Sequence, residues 1–487
     1  MAPAPLLALL QLVLLASTAL VAAAPAPTRR PTHIRLGAVP GAQHHPDAGV
    51  RAHWARGIGR RDAPSSNGSA SLDSYNHDAV YTVPVEIGAP AQIFNLVLDT
   101  GSRTTWVGGK ACTACGTSLF DGDRSRSFKR TKAPFAVAYV DGTNATGVYG
   151  QDVVTVAGHT VRQQTFGLAS NISQVLSSQL NGTDSDGLIG FAWPDADADA
   201  DRRPFWVNAL PQWPEPLFSV FLSRSSFSDV VDNSNSSNEY DCHNANGGVV
   251  TLGGVNSALY TGEIDYIPLE TAPGADAYTF WSVPLDGVVA NGRTINALTA
   301  GALATLDTGT SLITGPTDAV ADIYRTIPNA TFDAALGTYV FPCDSNMTLA
   351  FVLGGRHYTV SPADLVYSIQ LDDDAESVSE LKCTGAIGVC DDNAWTLGAT
   401  FLKNVYSVYR FDPPAVGLAA LAPGLDNSDY AYTDDELSDA LAEAAEHAAV
   451  CPHSARGHKQ SGGGVAAAPL VLTTIMTATI TTILSCL

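Results

Sequence analysis

The sequence predicts an all-β protein, on three observations. Apolar and β-branched runs recur at 80–87, 93–99, 135–140, 148–156, 249–252, 280–285, 302–307 and 405–411. Glycine, aspartate and asparagine separate them, as turn chemistry requires. Hydrophobic residues make up 45% of the chain and charged residues 15%, so its 487 residues can bury a large core. Helical patterning is scarce. The clearest helix is predicted at 316–324, opened by Pro316, whose fixed φ suits a first turn.

Two of the predicted strands run into the same phrase. Phe94-Asn95-Leu96-Val97-Leu98 leads into Asp99-Thr100-Gly101-Ser102, and Ala302-Leu303-Ala304-Thr305-Leu306 into Asp307-Thr308-Gly309-Thr310. One copy is an ordinary strand-to-turn signal, since Asp favours turns and Gly permits positive φ. Two copies roughly 200 residues apart are too distant for a small repeat and suit two halves of one large domain. Aspartate at the end of a buried strand is costly unless it is hydrogen-bonded or used. Two carboxyls brought face to face cannot both ionise cheaply. They share a proton and can serve as acid and base together.

The flanks add further motifs. Tyr81-Thr82-Val83-Pro84-Val85-Glu86-Ile87-Gly88 and Ala89-Pro90-Ala91-Gln92 precede the first phrase, and Trp106-Val107-Gly108 follows it. Ser311-Leu312-Ile313-Thr314-Gly315-Pro316 follows the second. Asp186-Gly187-Leu188-Ile189-Gly190-Phe191-Ala192 and Thr396-Leu397-Gly398-Ala399-Thr400-Phe401-Leu402 form a pair of glycine motifs, and Val416-Gly417-Leu418-Ala419 comes last. Over nearly all of residues 75–422 the chain resembles the pepsin-like aspartic proteases.

That resemblance implies a bilobal fold with a cleft between two β-rich lobes, expected at 62–260 and 261–422. It implies that Asp99 and Asp307 meet across the cleft around one water and hydrolyse peptide bonds, with no metal or other cofactor. Thr100 and Thr308 would cross-bond the two loops. Gly101 and Gly309 would let backbone approach the carboxylates, and Ser102 and Thr310 would hydrogen-bond them from outside. Tyr139, with Asp141, Gly142 and Thr143, matches the mobile flap, its hydroxyl directed toward Trp106. Phe280 and Thr314 fall where cleft-lining residues stand. Disulfides Cys112–Cys115 and Cys343–Cys383 follow from the same resemblance, with Cys390 a rival partner in the second. Three residues depart from the pattern. Arg103 stands where small polar residues are usual. Val140 replaces a common Gly and stiffens the flap. The Asn144 sequon lies beside the flap tip, where a glycan would restrict access.

The expected substrate is an extended peptide with bulky apolar groups around the cut. A preference for basic residues is the alternative, given a formal net charge of −22 from 48 acidic and 26 basic residues. The same charge argues against nucleic acid, which needs a basic surface. Residues 1–24, apolar from Leu6 to Leu20 with small residues at Ala22-Ala23-Ala24, read as a secretory signal peptide. Residues 25–61 hold seven arginines and one acid, Asp47, and end in Arg60-Arg61. They read as a propeptide, with a basic linker as the alternative. Residues 423–460 read as a polar stalk. Residues 461–487 resemble a glycosylphosphatidylinositol attachment signal, with a membrane-spanning tail as the alternative.

Seven sequons, at Asn67, Asn144, Asn171, Asn181, Asn235, Asn329 and Asn346, fit a glycosylated extracellular protein. Eight cysteines fit an oxidising compartment. The expectation is therefore a secreted zymogen, tethered to the cell surface, monomeric and acting on proteins or peptides. The rival from another class is a catalytically inactive binding protein on the same fold. Such a protein would lack an Asp, a flanking Gly or the flap Tyr, and Asp99, Asp307, Gly101, Gly309 and Tyr139 are all present.

Overall fold

The computed structural model describes residues 68–425, apart from 76–77, 117, 184, 195–201, 225–242, 273, 297, 299–300, 346, 371–381 and 391–393. The expected signal peptide, propeptide and anchor signal, and the expected stalk beyond residue 425, lie outside the described residues, as do Asn67, Asn235 and Asn346. Among the described residues no helix is long and apolar enough to cross a membrane.

One local plan occurs twice. In the first half, strand Gln92–Asp99 ends in Asp99 and runs antiparallel to Val80–Ile87. Strand Gly187–Gly190 lies parallel on its other side, with Asp99 opposite Gly190. Strand Trp106–Gly108 then runs antiparallel to Gly187–Gly190. In the second half, Leu303–Leu306 lies parallel to Trp395–Leu397, with Leu306 opposite Leu397. Ile313–Pro316 runs antiparallel to Trp395–Leu397. In each half the Asp-Thr-Gly loop crosses the neighbouring strand, and this explains the glycine motifs. A Cβ on Gly190 would lie 2.4 Å from the Arg103 carbonyl carbon, and one on Gly398 would lie 2.2 Å from the Leu312 oxygen. Only glycine fits under such a crossing.

The two halves share backbone pairing. A 13-stranded sheet holds most of the first half, and three strands from beyond residue 259 complete one side of it. Tyr406–Arg410 pairs with Leu217–Leu222, Ala415–Leu421 with Tyr406–Arg410, and Tyr260–Pro268 with Ala415–Leu421. The sheet is therefore continuous across position 260/261, where the division into lobes was expected.

Buried aromatic rings fasten the halves beneath the first Asp-Thr-Gly loop. Trp281 lies 5.1 Å from Trp193, 5.7 Å from Phe218 and 5.3 Å from Tyr409, centroid to centroid. Each such pair adds about 0.5–1.5 kcal/mol beyond its buried area. The indole N–H of Trp281 donates to the Phe191 carbonyl (2.8 Å), and that of Trp206 to the Ala192 carbonyl (3.1 Å). Both carbonyls belong to the segment just after Gly190.

The expected helix is Thr317–Tyr324, and Pro316 is not in its first turn. Pro316 ends strand Ile313–Pro316, paired with Cys390, and has extended ψ 136°. The pairing holds it in the sheet, so the helix begins one residue later. Helix Gln174–Gly182 was not expected, because it is short and has only three apolar residues, Val175, Leu176 and Leu180. The run at 135–140 is shorter on its outer end than expected: strand Lys129–Ala138 stops before Val140, which sits exposed in a turn.

Candidate active site

The two Asp-Thr-Gly loops meet. Thr100 N–H donates to the Thr308 hydroxyl (3.1 Å), and Thr308 N–H donates to the Thr100 hydroxyl (3.0 Å). Each hydroxyl in turn donates across to the other strand, Thr100 to the Leu306 carbonyl (2.9 Å) and Thr308 to the Leu98 carbonyl (2.6 Å). These four bonds join residues from the two halves, all of them buried, and they leave none of the four groups without a partner. The Asp99 backbone is also held, since Phe191 N–H donates to its carbonyl (2.6 Å).

Both carboxyls are buried, 5% exposed for Asp99 and 4% for Asp307, and they lie near enough for the charge of one to act on the other. Gly101 N–H (2.8 Å) and Ser102 N–H (3.1 Å) donate to Asp99 Oδ1, and the Ser102 hydroxyl donates to Oδ2. Gly309 N–H donates to Asp307 Oδ1 (2.8 Å), and the Thr310 hydroxyl donates to Oδ2 (2.6 Å). The glycines serve the opposite carboxyl. A Cβ on Gly101 would lie 2.3 Å from Asp307 Oδ2, and one on Gly309 would lie 2.5 Å from Asp99 Oδ1. Gly101→Ala is expected to push the pair apart and to lower kcat by about 100-fold or more, read in a peptide assay beside circular dichroism of the folded protein.

Burial raises both carboxyls above the ordinary range. For Asp99 the charge of Asp307 adds to it, and the donors Ser102 and Gly101 oppose it. For Asp307 the Thr310 and Gly309 donors oppose the effect of burial. Two adjacent buried carboxyls therefore retain a shared proton where isolated ones would have lost it.

Tyr139 reaches the site from the hairpin formed by Lys129–Ala138 and Asn144–Val156. The Trp106 indole N–H donates to its hydroxyl (2.6 Å). The hydroxyl meets Trp106 as expected, and because it accepts there the tyrosine keeps its own proton to donate. Burial, then the nearby charge of Asp99, raises its pKa further, so it stays neutral. The turn is self-supporting. Gly142 has φ +78°, and Asp141 accepts from the Thr143 N–H (2.8 Å) and hydroxyl (2.6 Å). Thr143 is buried, and Asp141 and Thr143 hold one another within the turn.

Thr314 is 7% exposed, held in the sheet opposite Thr396 and beside Gly388. Phe280 is partly exposed beneath the Arg103 guanidinium, 5.6 Å from its ring. Arg103 also donates from Nε to the Trp193 carbonyl (3.0 Å) and from Nη2 to the Thr279 carbonyl (3.4 Å). It thus ties the first loop to residues 279–280 of the second half. Cys112 is bonded to Cys115, and Cys343 to Cys383. The rival Cys390 is disulfide-bonded elsewhere.

One buried ionic cluster has no sequence signature. Asp364 accepts from Arg224 Nε (2.9 Å) and Nη2 and from Asn404 Nδ2 (2.8 Å), and it pairs with Lys403 (3.0 Å). Lys403 also reaches Asp78 (3.4 Å). Burial alone would raise Asp364, but the Lys403 charge and the Arg224 bonds win and hold it down at about 2.

A repeated strand-and-loop plan that joins two buried carboxyls under a tyrosine-bearing hairpin is the architecture of an aspartic peptidase. The chain belongs to the eukaryotic aspartyl protease family, whose model matches residues 80–421. It is 34% identical over 384 residues to major aspartyl peptidase 1 of Cryptococcus neoformans, covering 75% of this chain and 73% of that protein. It is 32% identical to pepsin A of Sus scrofa (74% and 86% covered) and 30% identical to mucorpepsin of Rhizomucor pusillus (78% and 86%). The protein is an aspartic-type endopeptidase.

Proposed function

We propose that Asp99 and Asp307 are the catalytic pair and act on one water between them. With a single proton shared, the ionised carboxyl takes a proton from the water as its oxygen attacks the scissile carbonyl carbon. The protonated carboxyl hydrogen-bonds the carbonyl oxygen and gives it its proton, and the resulting diol collapses as the proton taken from water passes from the other carboxyl to the leaving nitrogen. No covalent enzyme intermediate forms. The aspartic-protease dyad is a standard case of such shared-proton chemistry, and here roles belong to the pair. The observation that carries the reading is the reciprocal threonine brace, which fixes the two carboxyls against each other. The inactive-protein alternative has no missing group to rest on.

Tyr139 would close over bound peptide, exclude water from the pair and donate its free proton to the substrate. Tyr139→Phe leaves the Trp106 N–H without its acceptor and is expected to lower kcat/KM by about 10-fold, with KM rising, measured on one peptide series. The remaining expectations complete the reading: a secreted zymogen silenced by its basic 25–61 segment, glycosylated, and tethered by a lipid at its C-terminal end. Acid would protonate surface carboxylates and release the basic segment. The decisive assay acidifies the full chain and digests a peptide library with and without pepstatin. Pepstatin-sensitive cleavage is expected, and cleavage indifferent to pepstatin would remove the dyad from the mechanism.

A further inference from the structure

Two sequons sit side by side on the back of the tyrosine hairpin. Asn144-Ala145-Thr146 lies on strand Asn144–Val156, and Asn171-Ile172-Ser173 spans the end of strand His159–Ile172. Thr146 is opposite Asn171 and Ala145 is opposite Ile172. The Asn144 N–H donates to the Ser173 hydroxyl (3.2 Å), and the Ser173 N–H donates to the Asn144 carbonyl (2.9 Å). Each sequon thus hydrogen-bonds the other.

Strand alternation decides where the asparagines point. Ala145 and Ile172 are buried in the cluster that contains Trp106 and packs against Tyr139 and Val137. Asn144, Thr146 and Asn171 therefore face the other way. Their neighbours on the third strand agree: Ala138, opposite Asn144, and Ala136, opposite Thr146, are both exposed. A glycan on Asn144 would project from the outer face of the hairpin, away from Tyr139. It would not narrow the cleft, contrary to the access effect expected from the sequence.

We infer that Asn144 and Asn171 both carry N-linked glycans, and that the pair shields the hairpin against proteolytic cutting. The shield is needed because the hairpin tip is an exposed turn, with Val140 39% exposed, and such tips are preferred sites of nicking. The molecule is secreted beside copies of itself on the reading above, although the inference concerns the hairpin as a substrate and not the chemistry of the pair.

The test separates the two. The full chain carrying Asp99→Asn is produced in a glycosylating eukaryotic host, so that any cutting comes from added pepsin. Mass spectrometry of the peptides containing residues 144 and 171 reads occupancy directly. Pepsin is then added in acid, and first cuts are mapped against time for this protein, for Asn144→Gln with Asn171→Gln, and for Thr146→Ala with Ser173→Ala. Both sites are expected to be occupied, and both double variants to be cut between 136 and 146 at least about fivefold faster, with cutting elsewhere unchanged. Occupancy of one site only, or of neither, overturns the inference. Equal cutting rates overturn it also.

Discussion

Replacing either Asp99 or Asp307 by Asn is expected to lower kcat by about 10⁴-fold, to the floor of a peptide assay, with the fold intact. Asn preserves shape and keeps an oxygen for the backbone N–H bonds from Gly101, Ser102 and Gly309, while the Ser102 and Thr310 hydroxyls must turn to accept from the new amide N–H. The wild-type pH profile should be bell-shaped. Activity falls on the alkaline side as the shared proton leaves, and on the acid side as a second proton arrives. The same groups set a stability trend. Their folded-state pKa values are raised, so the protonated pair contributes stability fully below the ordinary carboxylate value. That contribution is lost as pH rises toward the raised values. Either Asn variant removes one titrating partner and should flatten the decline in thermal half-life between acid and neutral pH. A decline as steep in both variants as in wild type would show that the pair is not its source.

Asp364→Asn is expected to destabilise the protein by about 3–5 kcal/mol, because Arg224 and Lys403 then remain buried with too little opposing charge. Denaturant unfolding in an Asp99→Asn background, free of self-digestion, measures the change. Adding Lys403→Met should recover part of the loss, since it removes one of the stranded cations. The pH sense is opposite to that of the catalytic pair. Asp364 is depressed to about 2, so its contribution is present above the ordinary value of 3.8 and is lost as pH falls through about 2. One device weakens as the solution becomes neutral and the other only in strong acid. One declines above the ordinary carboxylate value and the other below it, so the two contributions are largest together near that value.

The parts legible in the sequence are those with a local cause. The Asp-Thr-Gly phrases end apolar strands, and the glycine motifs mark where a loop crosses a strand. Tyr139 sits before a turn written in Asp141-Gly142-Thr143. The opposite-carboxyl clearance at Gly101 and Gly309 is only half legible: a glycine signals close approach but not what approaches. Arg103 was visible as an oddity, yet its partners Trp193 and Thr279 are tertiary neighbours. The Asp364 cluster was invisible, because Asp78, Arg224, Asp364 and Lys403 are unremarkable until folding collects them. Pro316 misled for a related reason. Its φ suits a helix start, and only pairing with Cys390 shows that the strand claims it first.

The sheet that runs through both halves also bears on how the polypeptide emerges from the ribosome. Strand Leu217–Leu222 is made long before Tyr406–Arg410, its partner, and Tyr260–Pro268 waits for Ala415–Leu421. During synthesis the earlier portion therefore carries an open hydrogen-bonding edge of buried-type residues, Leu217, Phe218, Val220 and Phe221 among them. Such an edge is a template for unwanted pairing. The edge stays open until the final hairpin, Tyr406–Arg410 with Ala415–Leu421, is made and seals it.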